Sequence, residues 1–121
     1  MAKILVVDDD EQDRVGLRSI LESGGHEVTT ADDGDQALYL YLQHRFHVVV
    51  TDMIMPGRDG LSLISAMLQL APTAAIVAVS GRSASHLQAS KVFGARAVLS
   101  KPVSPAALLG AVETAMSRDE A

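Results

Sequence analysis

Residues 4–10 read Ile-Leu-Val-Val-Asp-Asp-Asp, an apolar run that ends abruptly in carboxylates. Four successive apolar residues with branched side chains predict a strand covered on both faces, as in a parallel sheet between two layers of helices. The acidic residues follow at the point where this strand would end. Because parallel strands all end along one edge, and ligands bind at that edge, the stretch predicts both a fold class and the position of a site.

Three further apolar runs are followed by a side chain that can take part in chemistry, namely Asp52, Ser80 and Lys101. In a parallel sheet these groups would converge with Asp8 and Asp9 at one edge. Carboxylates, a hydroxyl and an ammonium group together suit Mg²⁺ and a phosphoryl group.

The whole chain alternates short apolar runs with segments of helical periodicity. Strands are predicted at residues 3–7, 27–31, 48–51, 74–80 and 97–100. Four of them are continuously apolar, and we expect both of their faces to be covered, whereas the more polar run at 27–31 suits an edge strand. Helices are predicted in the gaps, including one at about 83–93 and a last one that begins at Pro105 and is capped by Ser104.

Five such units, joined by right-handed crossovers, form a three-layer, doubly wound α/β sandwich with a parallel five-stranded sheet. The order 2-1-3-4-5 would place strands one and three side by side at the point where ligands bind. Those are the two strands that end in Asp8, Asp9 and Asp52. We expect residues 1–121 to form a single domain without an output domain. The polar tail at 117–121 is either a frayed terminus or the start of a linker.

Composition excludes several classes of function. The net charge is −5, with 10 basic and 15 acidic residues, which argues against direct nucleic-acid binding by this domain. The chain has no cysteine, and hence no disulfide, thiolate nucleophile or cysteine zinc site. The first apolar run is too short for a signal peptide or a membrane span. We therefore expect a cytoplasmic protein that does not associate with membranes.

The three acids make a chemical prediction when they are taken together. Asp52 alone could equally be a cap of the following turn, but three adjoining carboxylates would raise each other's pKa values. Keeping them ionised requires a divalent cation, and an oxygen-only ligand set suits Mg²⁺. An ionised Asp52 beside Mg²⁺ could attack phosphorus and form an acyl phosphate.

The other candidate residues each have an ordinary structural interpretation as well. Asp10 or Glu11 would complement the dipole of the first helix. Lys101 could be a surface lysine, or it could pair with Asp52 in the empty site, helped by a cis peptide before Pro102. Ser80 could cap a turn or donate to a phosphoryl oxygen. The histidines share no ligand spacing and are interpreted as surface residues: His26, His44, His47 and His86.

These residues, in this order along nearly the whole chain, resemble the CheY-like receiver domain of two-component response regulators. The resemblance is carried by Ile4 to Asp10, the run from Asp52 to Gly60, Ser80-Gly81, Gly94-Ala95 and Lys101-Pro102. It implies that Asp52 is the phosphoacceptor for a sensor histidine kinase or histidine phosphotransfer protein. It implies an Mg²⁺ site, for which Mn²⁺ could substitute, made by Asp8, Asp9, Asp52 and the Ile54 carbonyl. It also implies that Lys101 and Ser80 contact the phosphoryl group.

The same resemblance implies that phosphorylation switches the surface formed by helix 4, strand 5 and helix 5, and so controls binding of a downstream protein or an output domain. A phosphorylation-dependent dimer is compatible with it. The domain would assist its own phosphorylation and dephosphorylation without being an enzyme. The chain departs from the common pattern at Val98, where an aromatic residue is usual, and at Val103 and Gly81. Ile54 and Arg82 occupy the variable positions that help to set phosphoryl lifetime.

Two alternatives remain at this point. A haloacid-dehalogenase-like phosphatase also uses a strand-end aspartate with Mg²⁺, but Ile54 stands where its general acid would be. A constitutive, non-phosphorylated interaction module generally lacks one of the acids or the lysine, and this chain has all of them. A flavodoxin-like electron carrier would share the fold, but Asp8, Asp9 and Asp10 would repel a flavin phosphate.

Overall fold

A computed structural model of the protein describes residues 2–53, 60–81 and 94–117. The elements in these residues are β1 (Lys3–Val7), α1 (Glu11–Ser23), β2 (Glu27–Ala31), α2 (Gly34–Gln43), β3 (Val48–Asp52), α3 (Gly60–Leu70), β4 (Ile76–Ser80), β5 (Ala97–Ser100) and α4 (Pro105–Ser117). The helix predicted at about 83–93 lies outside the described residues, so α4 is the fifth helix predicted from the sequence.

The strands form one parallel sheet in the order β2-β1-β3-β4-β5, which confirms the predicted topology. The register aligns Val7 of β1 with Thr51 of β3, so the acidic residues of both strands end at the same edge. The polar strand β2 lies at the edge of the sheet, as predicted. β5 forms the opposite edge, as the predicted order requires, but its side chains are only half-buried or exposed, which is less burial than we expect for a strand covered on both faces.

Helices cover both faces of the sheet, as a doubly wound fold requires. Along β1, Ile4 and Val6 point into one apolar core, which also contains residues of α1 and α4. Leu5 and Val7 point into the other, which contains residues of α2 and α3. Because successive side chains of a strand point to opposite faces, the continuous apolar run of β1 supplies both cores at once.

The helix ends follow from capping side chains. The Asp10 carboxylate accepts a hydrogen bond from the Asp13 N–H at 3.1 Å, and it therefore caps α1. Asp33 caps α2 in the same way, with the Gln36 N–H at 2.7 Å. The predicted cap of the last helix is confirmed, because the Ser104 hydroxyl accepts from the Ala107 N–H at 3.1 Å.

Three details of the predicted elements need correction. The strand predicted at 74–80 begins at Ile76, because the Ala74 N–H is bonded to the Ala71 carbonyl in a turn. The strand predicted at 48–51 extends to Asp52, which is thus its last residue. The sequence spacing of Ala37, Leu38, Tyr41 and Leu42 predicts one apolar stripe on α2, but Leu42 is 59% exposed because it faces away from the core near the end of that helix. Among the described helices, none has the length and apolar character needed to cross a bilayer.

Candidate functional site

The carboxyl edge of the sheet brings together the acids that end β1 and β3. One carboxylate oxygen from each of Asp8, Asp9 and Asp52 lies within 4.8 Å of the other two. They line a cavity of about 370 Å³ together with further residues of the same edge, namely Asp10, Asp13, Ser80, Gly81 and Lys101. The convergence predicted from the strand ends is therefore present in the fold.

Asp8 is fully buried and is held by several partners. One carboxylate oxygen accepts from the Asp10 N–H at 2.9 Å, and the Arg14 guanidinium donates to the Asp8 main-chain carbonyl at 2.9 Å. The other carboxylate oxygen accepts from the Lys101 ammonium at 3.0 Å. Desolvation by burial raises the pKa of Asp8 in spite of these hydrogen bonds, while Asp9 beside it is exposed.

Asp52 is the last residue of β3 and is only 7% exposed. Its neighbours on the chain are fixed, because the Thr51 hydroxyl donates to the Asp52 carbonyl at 2.9 Å and the Met53 N–H donates to the Val79 carbonyl at 3.1 Å. Burial, and after it the negative charge of Asp8, raise the pKa of Asp52 to about 6. Holding this carboxylate in its charged form therefore costs free energy.

Lys101 follows β5, and the peptide bond between it and Pro102 is cis. Its ammonium nitrogen lies 3.6 Å from Asp52, 3.0 Å from Asp8 and 2.8 Å from Asp13. Burial alone would lower the pKa of Lys101, but hydrogen bonds to Asp13 and Asp8 outweigh it, and the pKa is raised. The expected pairing with Asp52 is thus the longest of three contacts.

Asp13 is the residue of this edge that reasoning from the sequence missed. It lies in the first turn of α1, and its 2.8 Å contact with Lys101, which is 88 residues away in the chain, is shorter than those of Asp8 and Asp52. The available signal was the acidic start of α1, where Asp10 or Glu11 is expected to complement the helix dipole.

Ser80, the last residue of β4, is 1% exposed and lines the same cavity as Asp52. Gly81 lies beside it against the stem of Lys101, since a Cβ added to Gly81 would meet Lys101 Cβ at 3.7 Å. Val98 packs on the α2 and α3 side of the sheet and Val103 on the opposite side. The predictions that concern Ile54 and Arg82 fall outside the described residues.

The interpretation of the histidines as surface residues agrees with exposed His44 and His47, whereas His26 is half-buried. The imidazole Nδ1 of His26 accepts a hydrogen bond from the Ala2 N–H at 3.1 Å, and that of His47 accepts from the Lys3 N–H at 2.9 Å. His44 is exposed, with its ring against Phe46, while His86 lies outside the described residues. His26 and His47 thus hold the start of β1 by hydrogen bonds, at the edge opposite the acids.

The response regulator receiver domain family matches residues 4–113 of the chain. The protein belongs to this family. Protein PilH of Pseudomonas aeruginosa is 32% identical over 121 residues, which cover 97% of this chain and 99% of PilH. The receiver protein Anae109_2439 of Anaeromyxobacter is 37% identical over 105 residues, which cover 86% of this chain but only 44% of that protein. The chain therefore spans less than half the length of the second relative.

Solved structures agree with the family assignment. A receiver domain protein from Clostridium thermocellum superposes with a TM-score of 0.94 at 29% identity, covering 99% of this chain and 98% of that one. The chemotaxis protein CheY4 of Vibrio cholerae gives 0.87 at 33% identity, covering 93% and 97%. This receiver domain therefore has a phosphoacceptor role in signalling and is not an enzyme in the ordinary sense. The comparisons do not favour the phosphatase or the constitutive module.

Proposed function

We propose that Asp52 is the phosphoacceptor of this receiver domain, and that the phosphoryl group comes from a sensor histidine kinase or a histidine phosphotransfer protein. The observation that carries the proposal is the position of the Asp52 carboxylate, which ends β3 within 4.8 Å of the other two acids and 3.6 Å from an ammonium. Such a group combines a nucleophilic oxygen with positive charge placed where phosphoryl oxygens would lie.

The three carboxylates fit Mg²⁺. They offer hard oxygen ligands from two neighbouring strands, with the exposed Asp9 on the solvent side. We assign Asp8, Asp9 and Asp52 as side-chain ligands and the Ile54 carbonyl as a further one, with Mn²⁺ as an acceptable substitute. When bound, the cation would neutralise the crowded carboxylates and the charge on the transferring group.

In the proposed reaction, an Asp52 carboxylate oxygen forms a bond to phosphorus while the bond between phosphorus and the donor histidine nitrogen breaks. The electron pair of the broken bond stays on the imidazole nitrogen, which takes up one proton from water, so that the histidine is released neutral. Lys101 and Ser80 donate to the phosphoryl oxygens from the ends of β5 and β4. The domain thereby assists its own phosphorylation, and water attack at the same phosphorus reverses it.

The consequence for signalling lies in the surface next to Lys101. Because the lysine follows β5 directly, a new contact with a phosphoryl group would pull on the start of the segment that leads to α4. This surface, with the helix predicted at about 83–93, would then change its affinity for a downstream protein or an output domain. Phosphorylation-dependent dimerisation and a cytoplasmic location belong to the same proposal.

Acetyl phosphate tests the assignment of Asp52. The protein is incubated with acetyl phosphate, with and without Mg²⁺, and its intact mass is measured. One phosphoryl group should be added to the wild type only in the presence of Mg²⁺. Asp52→Asn should gain none, and the matched variant Asp32→Asn, altered at an exposed aspartate, should behave like the wild type. An adduct on Asp52→Asn would show that another residue is the acceptor.

A further inference from the structure

The ammonium of Lys101 is held by two carboxylates, and only one of them belongs to the proposed metal site. Asp13 lies at 2.8 Å and Asp8 at 3.0 Å, while Asp52 is farther away at 3.6 Å. An ammonium group has three N–H donors. Two are used by Asp13 and Asp8, which leaves the third for the side on which Asp52 lies.

The two acceptors belong to different parts of the fold, and each has a main-chain hydrogen bond to Asp10 at its side chain or at its own main chain. The Asp8 carboxylate accepts from the Asp10 N–H, and the Asp13 main chain is bonded to the Asp10 cap of α1. A lysine side chain has a flexible four-carbon stem and does not define its own end point. Two carboxylates on different elements, β1 with its following turn and α1, define the position of the Lys101 nitrogen.

A second cavity next to Lys101 offers its ammonium group another position if Asp13 is removed. Asp13 and Lys101 line the site cavity, and they also line a second cavity of about 180 Å³ whose other walls come from α1 and the residues after β5. The ion pair therefore separates the two spaces. With Asp13 truncated, the lysine could turn towards the second cavity and away from Asp52.

We propose that Asp13 is a positioning residue that holds the Lys101 ammonium with its third N–H directed at the phosphoryl position beside Asp52. This inference rests on the proposed function of Asp52. Because the side chain of Asp13 is 44% exposed, its ion pair contributes little to stability, and its effect falls on geometry. Asp13 touches neither the phosphoryl group nor the metal, and it acts only through Lys101.

The position of Lys101 can be measured without any phosphorylation. The folded protein is labelled briefly with a limiting amount of acetic anhydride, and peptide mass spectrometry gives the extent at Lys101 relative to exposed Lys3 in the same sample. Acetic anhydride acylates only the neutral amine, and a lysine that has lost a carboxylate partner gives up its proton more readily, so Asp13→Ala should raise this ratio about two- to fivefold. Asp13→Asn, which keeps an acceptor oxygen, should fall between Asp13→Ala and the wild type.

The consequence for phosphoryl transfer is measured with acetyl phosphate over a range of Mg²⁺ concentrations. Asp13→Ala should lower the maximal phosphorylation rate about two- to fivefold and leave the half-saturating Mg²⁺ concentration unchanged. Asp13→Asn should restore part of the rate. Glu11→Gln is the matched control, because it removes one acidic charge from the same helical turn, and both readouts should equal those of the wild type.

The outcomes separate the two proposals. A wild type that gains no phosphoryl group would contradict the proposed function, while the labelling ratios would still report on Asp13. An unchanged labelling ratio in Asp13→Ala, or an unchanged maximal rate in a variant whose circular dichroism shows that it is folded, would overturn the positioning role. Equal effects of Glu11→Gln and Asp13→Asn would reduce it to a general effect of charge and would also overturn it.

Discussion

Polar side chains surround both ends of β1, but they have opposite effects on the stability of the fold. At the amino end, His26 and His47 accept hydrogen bonds from the main-chain N–H groups of Ala2 and Lys3. These histidines directly precede β2 and β3, the two neighbours of β1. At the carboxyl end, Asp8 is buried beside a second carboxylate, and burial raises the pKa of both groups.

The difference shows where this domain gains stability and where it gives stability up. The amino end uses neutral acceptors to satisfy main-chain donors, and each such hydrogen bond contributes modestly to folding. The carboxyl end keeps like charges close together, which costs free energy until a cation binds. Removing a buried charge at the carboxyl end should therefore raise stability, whereas removing a hydrogen-bond acceptor at the amino end should lower it, and the following predictions test this contrast.

The largest effect is expected from crowding at the carboxyl end. A Cβ added to Gly60 would lie 2.6 Å from Met53 Cα and 2.7 Å from the Asp52 carbonyl oxygen. Gly60→Ala should therefore lower the free energy of unfolding by about 2–3 kcal/mol, since the clash is with main chain that cannot move aside. Chemical denaturation measures the change.

The control for Gly60 is a glycine with room around it. Gly110 lies inside α4, and nothing lies within 4 Å of an added Cβ. Gly110→Ala should raise the free energy of unfolding by up to about 1 kcal/mol, because alanine favours the helix. A loss of stability in both variants would show that the close approach at Gly60 is not the cause.

The next effect has the opposite sign. Asp52→Asn removes a buried charge whose pKa is raised from 3.8 to about 6, so it should stabilise the metal-free protein at pH 7 by about 1–3 kcal/mol. Between these two pH values the folded wild type binds more protons than the unfolded chain. Its stability therefore falls as pH rises across that window, and the advantage of the variant should vanish below pH 3.8.

Urea unfolding at several pH values measures this difference, with Asp32→Asn at an exposed position as the control. The advantage of Asp52→Asn should be greatest above pH 6 and should shrink when Mg²⁺ is added, because the cation offsets the charge in the wild type. A variant that is less stable than the wild type at pH 7 would contradict the idea that the carboxyl end costs free energy.

Binding of Mg²⁺ should offset part of the free energy that the crowded carboxylates cost. At a free concentration ten times its dissociation constant, a cation that binds only the folded state stabilises it by about 1.4 kcal/mol. Thermal unfolding of the wild type should shift upwards accordingly, and Asp9→Asn, altered at an exposed ligand, should lose most of the shift. An equal shift in Asp9→Asn would place the cation elsewhere.

The smallest effects are expected at the amino end. His26→Ala and His47→Ala each remove an acceptor for a main-chain N–H of β1 and should lower the free energy of unfolding by about 0.5–1.5 kcal/mol. His44→Ala is the control, since the His44 ring lies against Phe46 instead. Chemical denaturation measures these changes. An equal change in the free energy of unfolding for all three variants would contradict the stabilising role of the histidines at the amino end of β1.

The sequence by itself determined the strands, their order and the edge at which the acids meet. Continuous apolar runs identify buried strands, and the polar residue that ends each run marks the same edge, because parallel strands share one direction. The serine cap of α4 could also be predicted from the sequence, since a cap and its helix are neighbours in the chain.

Tertiary structure alone decided which charged and polar groups meet. Lys101 makes a shorter contact with Asp13 than with Asp52, and His47 bonds to an N–H that is 44 residues away. It also decided how far β5 is buried, since its side chains are half-buried or exposed although its sequence is apolar. Sequence periodicity reports which face of an element is buried, whereas the partner of a long side chain depends on the distances that folding creates between distant segments.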